Sequence, residues 1–334
     1  MPDRAEIALV LPQHICKKMF RDIDMANLHE LGHVVGPAGA EDPQAIAEIL
    51  AHAQIAVTGW GSPKFDEALL AQALLLRLVA HTAGSVKSMV SEAVFARDIL
   101  VTTAASANAV PVAQYTLAMM VSVLKQVPWL TIAYSRNDGA EVEKRRAVVC
   151  ELEDLTVAII GASRVGREVI RLLKSYPNID VVCYDPYLSN AAAAELGVRK
   201  ATLEEACRCP VVSIHAPNIA ETRHMLNART LALLPDHAVL INTSRGALVD
   251  EAALISEVKR RPLYVMLDVT DPEPAAADSP IRKQPNILIT PHIAGAMNQS
   301  CKNMGRLAVE EIRRFVAGEK LQHAVTRQML ATQA

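Results

Sequence analysis

The chain has 334 residues with 51% hydrophobic content, room for two domains that each bury a sizeable core. A formal net charge of −2 supplies none of the basic footprint that nucleic-acid binding needs. The amino terminus lacks the basic-then-apolar pattern of a secretory leader, and the apolar window Val112 to Leu124, interrupted by Gln114, Thr116 and Ser122, is too short to span a bilayer. A cytoplasmic protein without nucleic-acid or membrane partners is therefore expected. The cysteines Cys16, Cys150, Cys183, Cys207, Cys209 and Cys301 show no zinc-like spacing, so they read as reduced structural thiols and no metal site is expected.

In chain order, Glu6 to Leu11 predicts a strand, Gln13 to Leu31 a helical stretch, Ala45 to Ala51 a helix and Ile55 to Thr58 a strand. Arg77 to His81 and Asp98 to Thr102 add two more strands, and the alternation predicts a small parallel-sheet domain. The loop Gly59-Trp60-Gly61-Ser62-Pro63 follows the carboxyl end of a strand, where open α/β sheets bind ligands. Backbone N–H groups at Trp60 and Gly61 suit a carboxylate, although the loop also reads as a plain glycine turn. Asn108 to Leu130 predicts one long helix with Pro111 in its first turn. Tyr134 to Glu153 is polar, carries the turn signal Asn137-Asp138-Gly139, and predicts a surface arm or linker.

The stretch Leu155 to Gly166 carries the strongest local signal. Thr156 to Ile160 is an apolar, β-rich run, followed by a glycine turn and by Val165, Val169 and Leu172 or Leu173 at helical spacing. Such a turn aims a helix N-terminus at an anion such as a pyrophosphate. A second strand, Ile179 to Tyr184, ends at Asp185, whose carboxylate suits an adenosine ribose and repels the 2′-phosphate of NADP. Ser163 stands where G-x-G-x-x-G has its middle glycine, and its Cβ narrows the approach to the phosphates. Further strands are expected at Val211 to Ile214, Ala238 to Ile241, Tyr264 to Leu267 and Ile287 to Ile289. Helices at Leu203 to Cys207, Ala228 to Leu234 and Glu251 to Lys259 separate most of them, and Met297 to Phe315 closes the chain.

Arg245, Glu273 and His292 each lie just past a predicted strand, on the edge where the Gly161 turn would hold a cofactor. A guanidinium there can fork onto a carboxylate and a keto oxygen together. A histidine beside a carboxylate has its imidazolium favoured and its ring oriented, as acid/base work requires. Singly, each has a plainer reading: a structural ion pair, a solvated loop carboxylate, a core histidine.

The run Asn242-Thr243-Ser244-Arg245-Gly246-Ala247-Leu248-Val249-Asp250-Glu251 resembles the signature of the D-isomer-specific 2-hydroxyacid dehydrogenases. So do Ser213-Ile214-His215-Ala216-Pro217, Glu221-Thr222-Arg223-His224, Leu267-Asp268-Val269 through Glu273-Pro274, and Thr290-Pro291-His292-Ile293-Ala294-Gly295. The resemblance implies an oxidoreductase moving hydride between NAD and a small 2-hydroxy or 2-keto acid, glyoxylate or hydroxypyruvate being foremost. It implies that Arg245 binds and polarises the substrate, His292 exchanges the proton and Glu273 aligns His292. Gly161, Ser163, Arg164, Val165 and Gly166 would meet the pyrophosphate, Asp185 the ribose, and His215 and Pro217 the adenine side. Thr243, Ser244, Asp268 and Gly295 would stand near the nicotinamide. The implied fold is α/β: a Rossmann-type doubly wound cofactor domain, 103–296, inserted into a smaller flavodoxin-like substrate domain, 1–102 with 297–334, in a homodimer. The Gly59 loop lacks an arginine for a phosphorylated substrate, and Glu273 stands where formate dehydrogenases of this fold carry glutamine. The rival implied function is an NAD(H)-sensing corepressor of the same fold. Oxidation of an inorganic acid such as phosphite, with Lys64 as the basic group, ranks below both.

Overall fold

The computed structural model describes residues 4–332. The chain divides into two compact units, one running up to Ala109 and resuming at Ala296, the other Val110–Gly295. The division falls inside the helix Ala105–Leu124, rather than ahead of it as the expected 102/103 boundary has it. The first three and last two residues of the expected substrate domain lie outside the described residues.

The first unit is built on five strands: β1 (Glu6–Val10), β2 (His33–Val35), β3 (Ile55–Thr58), β4 (Leu78–His81) and β5 (Leu100–Thr103). Their order is β2-β1-β3-β4-β5, and every pairing is parallel. Side chains alternate between faces, so Ile7 and Leu9 join one core with Met304 and Ile312, while Ala8 and Val10 join another with Ile46 and Leu50. Coverage on both faces is why the strands read as continuous apolar runs. The strand order reverses between β1 and β3, and the Gly59 loop leaves β3 at that switch point.

The expected helix from Gln13 to Leu31 is two helices, Gln13–Met19 and Asp22–Leu31. Phe20 is extended, Lys302 Nζ donates to the carbonyls of Lys17 and Phe20 at 2.5 and 2.6 Å, and Asp24 accepts from the Arg21 amide at 2.9 Å. A distant lysine thus caps the first helix while a local carboxylate starts the second.

The second unit has seven parallel strands: β6 (Thr156–Ile160), β7 (Asp180–Tyr184), β8 (Arg199–Lys200), β9 (Val211–Ile214), β10 (Val239–Asn242), β11 (Tyr264–Leu267) and β12 (Ile287–Ile289). The order β12-β11-β10-β9-β6-β7-β8 reverses between β6 and β9, the crevice where open α/β sheets take their ligands. Ala158, Ile160, Val212 and Leu240 face one core, and Val157, Ile159, Val181 and Ile241 the other.

Two expectations about the connecting segment are corrected. The long helix ends at Leu124, not Leu130, because buried Gln126 adopts a left-handed φ of 54° before the chain restarts as Val127–Ser135. Pro111 lies inside the helix, not in its first turn. At 20 residues and mean hydropathy 1.3 this helix is long and apolar enough to cross a membrane, contrary to the shorter window expected; here its Ala113, Met120, Val123 and Leu124 pack into the second unit's core. The stretch expected as an arm holds a helix, Gly139–Arg146, whose Arg145 is buried. That guanidinium lies 5.4 Å from the Trp129 ring centre and 5.7 Å from that of Tyr264, and donates to Glu141, Gln126 and Asn286. One buried cation, with a hydrogen bond from each of its three nitrogens, anchors an otherwise polar stretch.

Candidate active site

At the end of β6 the chain turns at Gly161, whose φ is +100°. A Cβ there would also stand 2.7 Å from the backbone of His215 and Ala216, so conformation and space both demand glycine. The helix Arg164–Leu173 begins next, and Gly166 packs so closely that a Cβ would lie 2.1 Å from the Gly161 carbonyl oxygen. Ser163 is extended, with φ −65°, so its backbone needs no glycine; its Oγ accepts from the Gly166 amide at 3.3 Å as the helix N-cap. The serine therefore trades phosphate clearance for a capped helix. Burial pulls the Arg164 guanidinium below its usual pKa, and Val165 beside it is half-buried. Asp185 accepts from the amides of Ala162 and Tyr187, both at 2.8 Å, which fixes the carboxylate while leaving lone pairs for ribose hydroxyls. A sterically enforced glycine turn, a helix start and an anchored distal acid fit a dinucleotide.

Around that crevice the backbone matters more than some side chains. The His215 imidazole is buried, its pKa pulled down to about 3 by desolvation, with Nε2 2.9 Å from Ser213 Oγ. Its Nδ1 has no partner among the described residues, and it is the His215 backbone that abuts Gly161. The Pro217 carbonyl accepts from Thr222 Oγ1. Thr243 Oγ1 lies 2.9 Å from Thr116 Oγ1, and Ser244 Oγ donates to the Ile214 carbonyl at 2.7 Å.

The turn after β10 is folded by buried Asn242, which donates to the Arg245 carbonyl at 2.8 Å and accepts from the Ser244 amide at 3.0 Å. Gly246 follows, where a Cβ would stand 2.0 Å from the Thr270 carbonyl carbon, so the loop after β11 rests on this turn. Arg245 is half-buried; desolvation lowers its pKa and the nearby Glu273 charge opposes that shift. Glu273 Oε1 lies 2.6 Å from His292 Nδ1, which orients the ring and leaves Nε2 for other contacts.

His292 has a φ of +51°, an uncommon conformation for a side-chain-bearing residue. Buried Asp268 holds it there, accepting from Thr290 Oγ1 at 2.6 Å and from the amides of Ile293 and Ala294 at 2.8 Å, while the Asp268 carbonyl accepts from the His292 amide at 3.1 Å. Gly295 ends the second unit. Asn242, Thr290, Tyr115 and Thr116 escaped assignment from sequence, although the hydroxyls of Tyr115 and Thr116 stand out in an apolar helix.

In the first unit, Gly61 has φ +80° and a Cβ there would meet Pro12 at 2.7 Å. Ser62 Oγ accepts from the Gly59 amide at 2.9 Å and donates to the Val10 carbonyl, which sets the loop. Trp60 is 40% exposed with Lys18 Nζ 4.9 Å from its ring centre. His81 is buried, its pKa lowered to about 4 by desolvation, with Nδ1 3.0 Å from Thr58 Oγ1. Among the described residues no group of three or more histidines, cysteines or acids is arranged to hold a metal ion.

Residues 117–294 match the family described as D-isomer specific 2-hydroxyacid dehydrogenase, NAD binding domain. D-3-phosphoglycerate dehydrogenase of Methanocaldococcus jannaschii is 27% identical over 89% of this chain and 56% of its own length. (S)-sulfolactate dehydrogenase of Chromohalobacter salexigens is 31% identical over 75% of this chain and 81% of its own. The chain spans about half the length of the phosphoglycerate dehydrogenases it matches. Among solved structures, a phosphoglycerate oxidoreductase from Rhizobium etli superposes with a TM-score of 0.81 over 97% of this chain and 99% of that one; at 24% identity it speaks for the fold.

Proposed function

The chain belongs to the D-isomer specific 2-hydroxyacid dehydrogenases, and from that premise we propose that it moves hydride between NAD(H) and a small, D-specific 2-hydroxy or 2-keto acid. The observation that carries this reading is the 2.6 Å contact between His292 and Glu273, with Arg245 in the electrostatic reach of the same carboxylate.

NADH, when bound, supplies the hydride to the keto carbon. Arg245 binds the substrate and stabilises the charge growing on the keto oxygen, the kind of preorganised electrostatics that usually contributes most in such a site. His292 delivers the proton from Nε2, and Glu273, 2.6 Å from Nδ1, keeps the ring aligned. Gly161, Ser163, Arg164, Val165 and Gly166 receive the pyrophosphate; Asp185 takes the ribose hydroxyls and disfavours a 2′-phosphate, which supports NAD over NADP. The backbones at His215 and Pro217 border the adenine side, and Thr243, Ser244, Asp268 and Gly295 the nicotinamide side. Asp268 keeps one acceptor position for the carboxamide after its three bonds to the His292 loop.

The amides of Trp60 and Gly61 bind the substrate carboxylate. Neither this loop nor the residues directly after β1, β4 and β5 include an arginine, which supports glyoxylate or hydroxypyruvate over the acids with a second anionic group named for the relatives. The working form is proposed to be a cytoplasmic homodimer. The test is a panel of glyoxylate, hydroxypyruvate, pyruvate, phenylpyruvate and 3-phosphohydroxypyruvate, each with NADH and with NADPH. NADH oxidation on the small acids supports the reading; none on any acid contradicts it.

A further inference from the structure

Two successive hydroxyls on the helix Ala105–Leu124 reach the two loops that carry the reacting groups. Tyr115 Oη lies 2.8 Å from Thr290 Oγ1, and Thr290 Oγ1 donates to Asp268 Oδ1 at 2.6 Å. Thr290 has one proton, so the donor order runs from Tyr115 to Thr290 to Asp268. Asp268 then accepts from the amides of Ile293 and Ala294, immediately after His292. A histidine at φ +51° persists only where its surroundings over-determine it, and this carboxylate with its supporting hydroxyls does so. Thr116 Oγ1 donates to the Val112 carbonyl at 2.8 Å and so accepts from Thr243 Oγ1, two residues ahead of Arg245.

We propose that Tyr115 is a positioning residue for proton transfer at His292, acting through Thr290 and Asp268, with Thr116 doing the corresponding work for the Arg245 turn. The proposal rests on the dehydrogenase reading given above. Burial raises the Tyr115 phenol's pKa, the Thr290 bond lowers it and the Asp268 charge raises it again, which keeps the phenol a donor through the neutral range. Removing that donor leaves the ring's volume in place, so the effect of the bond separates from that of packing.

Tyr115→Phe is expected to lower kcat for keto-acid reduction about tenfold, because small misplacements of a reacting group are costly, with the KM for NADH changed less than twofold. Thr290→Val should match it, Thr290→Ser should keep near-normal kcat, and the Tyr115→Phe/Thr290→Val double variant should be no worse than Thr290→Val alone. Thr116→Val should instead raise the KM for the keto acid. Wild-type kcat in Tyr115→Phe, or a Thr290→Ser variant as impaired as Thr290→Val, overturns the proposal. Amide hydrogen exchange at Ile293 and Ala294 reads the same claim without turnover. It should quicken at least about tenfold in Tyr115→Phe while core amides are unchanged, and unchanged exchange at those two positions overturns the proposal. If the wild-type chain reduced no keto acid, the functional reading would fail by itself, and the exchange measurement would still decide whether Tyr115 fixes the loop.

Discussion

The two sheets share a plan and differ in chemistry. Both are parallel, both are covered on two faces, and both reverse strand order next to a glycine loop. At and past the ends of its strands the first unit offers glycine amides, threonine hydroxyls and a buried histidine whose pKa is lowered to about 4. In the same places the second offers Arg245, Asp268, Asp185 and the His292–Glu273 pair. The histidines make the point within one residue type: His81 and His215 are buried, each beside a hydroxyl, whereas His292 stays half exposed against a carboxylate. An α/β sheet fixes where chemistry can stand, and the loop residues decide which chemistry it is.

If the second sheet's edge is the reacting one, Arg245→Gln should cut kcat/KM by about 10²–10³, the usual loss when a charge-stabilising donor is removed. Steady-state kinetics on the best keto acid checks this; an intact kcat/KM would move the chemistry elsewhere. Gly166→Ala puts a Cβ 2.1 Å from the Gly161 carbonyl oxygen. It should raise the NADH Kd more than tenfold and cost about 1–3 kcal/mol of stability, read by fluorescence titration and urea unfolding. Unchanged affinity would separate the turn from the cofactor.

A subtler variant sharpens the contrast between histidines. Glu273→Gln weakens the 2.6 Å contact that orients the His292 ring. It should lower kcat for keto-acid reduction about tenfold with little change in NADH affinity; an unchanged kcat would leave Glu273 without a part in aligning His292. The last contrast concerns the buried histidines and is read in stability rather than turnover. Burial depresses the folded-state pKa of His81 to about 4 and of His215 to about 3, from 6.5. The unfolded chain therefore binds more protons below pH 6.5, and the stability tied to the neutral rings is complete above that value and lost as pH falls. Each contributes a slope of at most about 1.4 kcal/mol per pH unit. Urea midpoints should fall between pH 6.5 and 5, and His81→Gln should flatten that dependence; a flat wild-type curve would contradict the burial argument.

What was legible in the sequence was local. Thr156 to Ile160 announced a buried strand, and the glycines after it announced a turn whose crowding explains them. Arg245, Glu273 and His292 stood out because each follows an apolar run, and β10, β11 and β12 end close to where that reading puts them. Features set by distant partners were illegible. The three-residue β2 has almost no pattern of its own, and the break at Phe20 depends on Lys302, far away in the chain. The burial of Arg145 within a stretch expected as a surface arm was hidden because two of its acceptors, Gln126 and Asn286, come from segments remote from it in the chain. The resemblance named Asp268 for the nicotinamide side, but its role as the clamp on the His292 loop was hidden, since its partners appear only once β11 and β12 pair.

The pairing of hydride and proton delivery at the second sheet's edge is tested most directly with His292→Asn, a substitution that tolerates the left-handed backbone at this position. Single-turnover NADH oxidation would be followed on the best 2-keto acid, alongside NADH binding. The account predicts unchanged NADH affinity and a reduction rate lower by about 10²–10⁴. A variant that binds NADH normally and reduces the keto acid at the wild-type rate would contradict it.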